Sequence, residues 1–187
     1  MNKILKVILF VFALLVIVAV ASISVIMLDV AGNLATGSQT LPNGAATGKA
    51  LVVYDPGLTG GAKDVATKIG YDLQSSGYTV VLAGVKSSVA TNTTGYNVIV
   101  IGGPIYAGKP ASIVQTFLNN LNPASGTKVG AFGYGSVKID NTNSTTVTKD
   151  VAPLPTNSQV TINSAVKVVS GDNVDSLTSE FVTNLLK

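Results

Sequence analysis

The 187-residue sequence predicts an α/β domain: five strands alternating with helices in a parallel sheet covered on both faces, behind one membrane-spanning helix. Two observations predict the domain. Short apolar runs of strand length alternate with apolar stripes at helical spacing, and three of those runs end in Gly-rich segments. A third observation predicts the membrane helix: Val7 to Leu28 carries no charge.

The N-terminal stretch comes first. Lys3 and Lys6 precede 22 uncharged, mainly apolar residues, enough to cross a ~30 Å hydrocarbon layer at about 1.5 Å per residue. A cleavable signal peptide is the rival, with Ala19 and Ala21 as small residues for a cleavage site, but its apolar core usually runs about 7–15 residues. The expectation is an uncleaved anchor over residues 1–28, contacting the membrane through residues 4–28. Lysines before the run and Asp29 after it place the N-terminus in the cytoplasm and the domain outside. The sequons Asn92-Thr93-Thr94 and Asn143-Ser144-Thr145 are compatible with that side. Residues 29–48, small, polar and Gly-rich without periodicity, read as a flexible tether, so the domain is expected over residues 49–187.

Within the domain, Ala50–Tyr54 (ALVVY) is a first buried strand. Gly61–Ser76 follows with Val65, Ile69 and Leu73 spaced four apart, one stripe of a helix, and Gly77 stands where glycine ends helices. Tyr78–Ala83 is a second strand. Tyr96–Ile101 is a third, ending in Gly102-Gly103-Pro104, with Pro110 expected to open the next helix, which buries Ile113, Val114, Phe117, Leu118 and Leu121. Lys128–Phe132 is a fourth strand, ending in Gly133-Tyr134-Gly135-Ser136. Residues 137–161 are rich in Asn, Thr and Ser, with Pro153 and Pro155 against any long helix, and read as a short or irregular crossover. Ala165–Val169 is a fifth strand, and Asp172–Leu186 a closing helix that buries Val174, Leu177, Phe181, Val182 and Leu185. In such a sheet, ligands bind at the carboxyl ends of the strands. The Gly-rich segments after the first, third and fourth strands therefore gather at one edge.

Composition excludes several functions. Without Cys or His there is no Cys₂His₂ zinc site, Ser-His-Asp triad, thiol nucleophile or imidazole base, and any redox group must be borrowed. Twelve lysines less Lys3 and Lys6 leave ten against nine acids, with no arginine and no basic stripe, which argues against nucleic acid. Ser136 has no visible base, which argues against a side-chain-catalysed hydrolase.

The segments YDPGLTGGAKDVATKI, IGGPIYAGKPASIVQTFL and VGAFGYGS resemble the flavodoxin-like superfamily over Lys49 to Lys187. The resemblance implies strand order 2-1-3-4-5, FMN as cofactor, and electron transfer to a redox partner protein. It also implies a first loop that wraps the phosphate, with Asp55, Gly57, Leu58, Thr59, Gly60, Gly61 and Ala62. Pro104, Ile105, Tyr106, Ala107 and Gly108 would line one side of the flavin ring, and Gly133, Tyr134, Gly135 and Ser136 the other. Hydroxyls and a helix N-terminus hold a dianion without arginine. This loop keeps Thr59-Gly60 but has Asp55, Pro56 and Gly57 before it, Ala62 after it, and one residue inserted. Each missing hydroxyl forfeits about 1.5–3 kcal/mol of charge-assisted hydrogen bonding. Pro56 lacks an N–H, and Asp55 repels a phosphate unless Lys63 or a cation compensates. Two outcomes follow: FMN held by a weakened grip, or a binding or structural module on the same fold whose cofactor site is lost or altered. Asp55 also has a purely structural reading, as the residue that organises the bend.

Overall fold

A computed structural model describes residues 3–30 and 35–187. Helix α1 (Lys3–Val30) is followed by strand β1 (Ser38–Leu41), β2 (Gly48–Tyr54), helix α2 (Gly61–Ser75) and β3 (Tyr78–Gly84). Next come β4 (Val98–Tyr106), β5 (Lys109–Pro110), α3 (Ser112–Asn120), β6 (Lys128–Gly135), α4 (Ser144–Val151), β7 (Ser164–Val169) and α5 (Val174–Leu186). The sheet runs β1-β3-β2-β4-β6-β7, with β5 hooked onto β4. Its five long strands β3-β2-β4-β6-β7 are parallel, which is the expected order 2-1-3-4-5. Helix α1 is long and apolar enough to cross a membrane.

The central strands read as unbroken apolar runs because both of their faces are covered. Successive residues alternate between two cores. Leu51, Val53, Ile99 and Ile101 pack with α3 and α4, while Ala50, Val52, Val98 and Val100 pack with α2 and α5. All eight are essentially inaccessible to solvent. The outer strand β7 is not left open. The Asn141 amide accepts from Lys167 N at 2.9 Å and donates to Lys167 O at 2.8 Å, a side chain standing in for a neighbouring strand.

Three features depart from the sequence expectation. The reading of 29–48 as a tether fails for its second half. β1 pairs antiparallel with β3, Ser38 opposite Ala83 through Leu41 opposite Val80, and Ala35 and Leu41 are buried. Three of the four β1 side chains are exposed, so backbone pairing rather than hydrophobic period makes this strand. The second departure is that Gly102-Gly103-Pro104 and Gly133-Gly135 are not loops but the ends of β4 and β6. Gly102 faces Phe132, whose ring and carbonyl fill the place of a Cβ, while Gly103 makes room for Val114 and Asp55. These glycines serve close approach inside the sheet. Third, Pro110 lies in the hairpin strand β5 and not at the start of α3, which begins at Ser112. Ala107 and Gly108 turn that hairpin with φ of 48° and 75°, the two positive values a two-residue primed turn requires. The short crossover expected over residues 137–161 contains α4, opened by Asn143, whose side chain accepts from Thr146 N at 3.1 Å, and finished before Pro153.

Candidate functional site

The three segments meet at the carboxyl edge of the sheet, and they touch one another. A Cβ on Gly57 would lie 3.2 Å from the Pro104 ring and 3.6 Å from the Tyr106 hydroxyl. Leu58 N donates to that hydroxyl over a long 3.4 Å. Gly61 lies directly against the Tyr134 ring, and Gly135 against Ile105. The β2–α2 loop, the β4–β5 hairpin and the end of β6 form one continuous patch.

The loop is held from below by its acid. Asp55 is 1% exposed. Its backbone N–H donates to Gly102 O at 3.0 Å, and its Oδ1 accepts from Gly57 N at 3.2 Å. That is the structural reading of Asp55: an Asx turn that sets the bend, its carboxylate turned beneath the loop. Gly57 and Gly60 both have positive φ, 67° and 77°, so the bend needs glycine at both positions. Leu58 and Thr59 form its exposed tip. The Ala62 side chain is buried in the core, so Ala62 can offer a ligand only its backbone N–H. Pro104 is buried, Ile105 and Tyr106 are half-buried, and Ala107 and Gly108 are exposed. Gly133 is buried, Tyr134 and Gly135 are half-buried, and Ser136 is exposed.

Helix α2 brings a distinct donor set to this patch. Its N-cap, Gly60, offers no side-chain acceptor, as with Ala111 at α3, whereas α4 and α5 are capped by Asn143 and Asn173. The first N–H groups of a helix have no intrahelical partner, and the helix dipole adds partial positive charge there. In α2 these are the N–H groups of Gly61, Ala62 and Lys63. The first is met only by Thr59 Oγ1 at 3.4 Å. The chemistry of the set suits an anion with several acceptor oxygens. The rings of Tyr106 and Tyr134 stand in the same patch, Tyr134 braced by the α2–α5 core.

A buried cation beneath this edge is a feature the sequence reading missed. Lys167, in the middle of β7, is 3% exposed. Its Nζ lies 2.6 Å from Asp150 Oδ2 on α4, and its Cε lies 3.3 Å from where a Gly135 Cβ would stand. The signal was a lysine inside the otherwise apolar run AVKVV. A lysine there must find a partner or leave the core. A second ion pair ties the segment after β6 to the turn after β7: Lys138 Nζ reaches Asp172 Oδ1 at 2.9 Å, and Asp172 Oδ2 accepts from Val169 N at 3.0 Å.

The Lys138 ammonium, and then the Val169 N–H, hold the Asp172 carboxyl below its ordinary value. A depressed folded-state pKa gives stability that is complete above the unfolded value, about 3.9, and is lost as pH falls through the folded value. Amide exchange at Val169 and in residues 136–140 is therefore expected to rise more steeply than in the core as pH drops below about 4. Lys138→Ala should shift that rise to higher pH, and an unshifted profile would contradict the brace.

The larger cavities lie beside the patch and away from it. One of about 630 Å³ runs from Gly108 and Lys109 past Gln115 to Lys149 and Pro155. Another, of about 550 Å³, lies against α4, lined by Ser144, Thr148, Ala152, Ile162 and Ala165. Among the described residues no group of acids could hold a metal ion.

No protein-family model matches the chain, and no curated protein matches it in sequence. Solved structures do match in shape. Oxidised flavodoxin 2 from Bacillus cereus superimposes with a TM-score of 0.52 at 20% identity, covering 74% of this chain and 97% of that one. A flavodoxin from Streptococcus pneumonia TIGR4 gives 0.52 at 17% identity, over 74% and 97%. A flavo di-iron protein from Thermotoga maritima, an H90A mutant, gives 0.51 at 14% identity, over 75% of this chain but only 36% of that one. At these identities the likeness concerns fold, and it agrees with the strand order and the helices on both faces. The chain carries a domain of the flavodoxin-like fold.

Proposed function

We propose that this protein is a membrane-tethered electron-transfer module that binds FMN at the carboxyl edge of its sheet, with α1 as the anchor and the domain on the extracytoplasmic side. The reading rests on one observation above the others: the uncapped N-terminus of α2 sits in the same patch as the rings of Tyr106 and Tyr134. The Gly61, Ala62 and Lys63 N–H groups and the Thr59 hydroxyl would hold the phosphate. Tyr106, with Pro104 and the 107–108 turn, would border the ring system on one side, and Tyr134 with Gly135 and Ser136 on the other. When bound, FMN supplies one- and two-electron chemistry. The protein's share is to grip the phosphate, orient the ring and limit its exposure to water. The likeness in fold to the two flavodoxins supports this reading.

Asp55 enters the reading only as the brace beneath the loop. Its inward turn removes the expected clash with a phosphate at the loop surface. The same geometry favours a second reading, a binding module without FMN. Two loop N–H groups, those of Gly57 and Leu58, are already taken by Asp55 and Tyr106, which leaves a phosphate fewer donors. FMN titration of the full-length chain in detergent separates the two. The first reading expects FMN fluorescence to be quenched at micromolar protein. Unchanged fluorescence under those conditions leaves the second reading standing.

A further inference from the structure

Residues 35–37 join the domain at one edge of its sheet. Lys86 N donates to Ala35 O at 2.8 Å and Gly84 N to Gly37 O at 2.7 Å. Gly84 carries no Cβ because the Ala35 carbonyl occupies that space. The chain therefore joins the domain at the carboxyl end of β3. Val85 N in turn bonds Tyr54 O, the residue from which the Asp55–Gly60 loop departs. Two strand spacings of about 4.8 Å separate the joining segment from that loop. Only four residues, 31–34, lie between Val30 and Ala35. Five residue steps span at most about 18 Å. The carboxyl end of β3 therefore stays within that distance of the end of α1.

The chemistry of the edge matches that placement independently. Among the described residues of the domain, the exposed large hydrophobics are Leu58 at 46%, Tyr71 at 47% and Val137 at 66%. Leu58 lies at the tip of the β2–α2 loop and Val137 in the segment after β6, both on this edge. Lys63, Lys86 and Lys109 are exposed on the same side, and none has an ion-pair partner among the described residues; the exposed acids in the segments of this edge are Asp64, Asp140 and Asp175, the last paired with Lys68. Aliphatic tips beside three unpaired ammonium groups suit the boundary between acyl chains and anionic headgroups.

We infer that the carboxyl edge of the sheet docks on the lipid surface of the membrane that α1 spans, with Leu58 and Val137 entering the headgroup region. The inference rests on α1 being the anchor proposed above. The candidate cofactor patch then opens toward the bilayer and not toward bulk solvent.

The chain contains no cysteine, so Leu58→Cys, Val137→Cys and Ser125→Cys each give a single labelling site. Ser125 is exposed in the turn before β6, on the opposite edge. The full-length variants, carrying an environment-sensitive fluorophore, go into vesicles of phosphatidylcholine and phosphatidylglycerol with nitroxide quenchers at the headgroup level. Docking predicts blue-shifted emission and loss of most fluorescence at positions 58 and 137, with position 125 unaffected. Equal quenching at all three, or quenching at none, in chains that resist carbonate extraction overturns the docking and leaves the anchor intact. Release by carbonate overturns the anchor and the docking together. A partner protein as the true occupant of the edge would show as no quenching in these protein-free vesicles, which also overturns the inference.

Discussion

Asp150→Ala is expected to destabilise the domain by about 3 kcal/mol, far more than a partly exposed acid on a short helix would suggest. The reason is what the substitution leaves behind. Lys167 Nζ sits 2.6 Å from Asp150 in a side chain only 2% exposed, so removing the carboxylate strands an ammonium in the core. Breaking a buried pair from one side costs about 3–5 kcal/mol, whereas replacing both members with apolar residues of similar volume is often neutral or better. Asp150 keeps 24% of its side chain in solvent, which puts this pair at the low end of that range. Thermal unfolding of Asp150→Ala should show Tm lower by about 10 °C. The double variant Asp150→Leu/Lys167→Met should recover most of that loss. If the double variant is as unstable as the single one, the pair is not what holds α4 to the sheet.

Gly102→Ala is expected to cost about 2–3 kcal/mol, the upper part of the range for overpacking a core. A methyl group there meets both the ring and the carbonyl oxygen of Phe132, its partner on β6. A ring can rotate away, but a backbone carbonyl in a central strand pair cannot move without breaking the ladder. Gly44→Ala provides the contrast, because nothing lies within 4 Å of its Cβ position, and a change within about 0.5 kcal/mol is expected. Denaturant unfolding of the two variants checks the difference. A neutral Gly102→Ala would mean that β4 and β6 are farther apart than described. Because Gly102 also accepts the Asp55 N–H, a shift at this position should loosen the loop above it.

The parts of the fold legible in the sequence are those where burial dictates composition. Strands β2 and β4 are apolar on both faces, β7 is so apart from Lys167, and the α2 and α5 stripes recur at helical spacing, so pattern alone placed them. Strand β1 was illegible because three of its four side chains face solvent. Its stability comes from backbone pairing with β3, which leaves no trace in hydrophobic period. That omission made a four-residue connection read as a twenty-residue one.

The site was legible as a place but not as a mechanism of folding. The three Gly-rich segments do converge. Gly102, Gly103 and Gly133, however, are glycines for close packing within strands, and sequence alone does not distinguish a glycine needed for positive φ from one needed for space. Asp55 looked like a threat to an anion, and its burial beneath the bend depended on the gap left by Gly103. Helix α4 was hidden by Ser and Thr of low helix propensity; its Asn143 cap was the readable clue. Lys167 could have been flagged from AVKVV, but its partner Asp150 could be found only in three dimensions.

The central claim is that the α2 N-terminus grips a phosphate, and comparing FMN with riboflavin, which lacks that phosphate, tests it most directly. Both flavins are titrated against the full-length chain in detergent by fluorescence quenching. Each charge-assisted hydrogen bond from Gly61, Ala62, Lys63 or Thr59 to the phosphate is worth about 1.5–3 kcal/mol, and 1.4 kcal/mol is tenfold in affinity. The account predicts that FMN binds at least about tenfold more tightly than riboflavin, with the preference reduced in Lys63→Pro, which removes one N–H while remaining compatible with a first helical turn, and retained in Thr67→Ala. Equal affinity for the two flavins, or no binding of either, would contradict it.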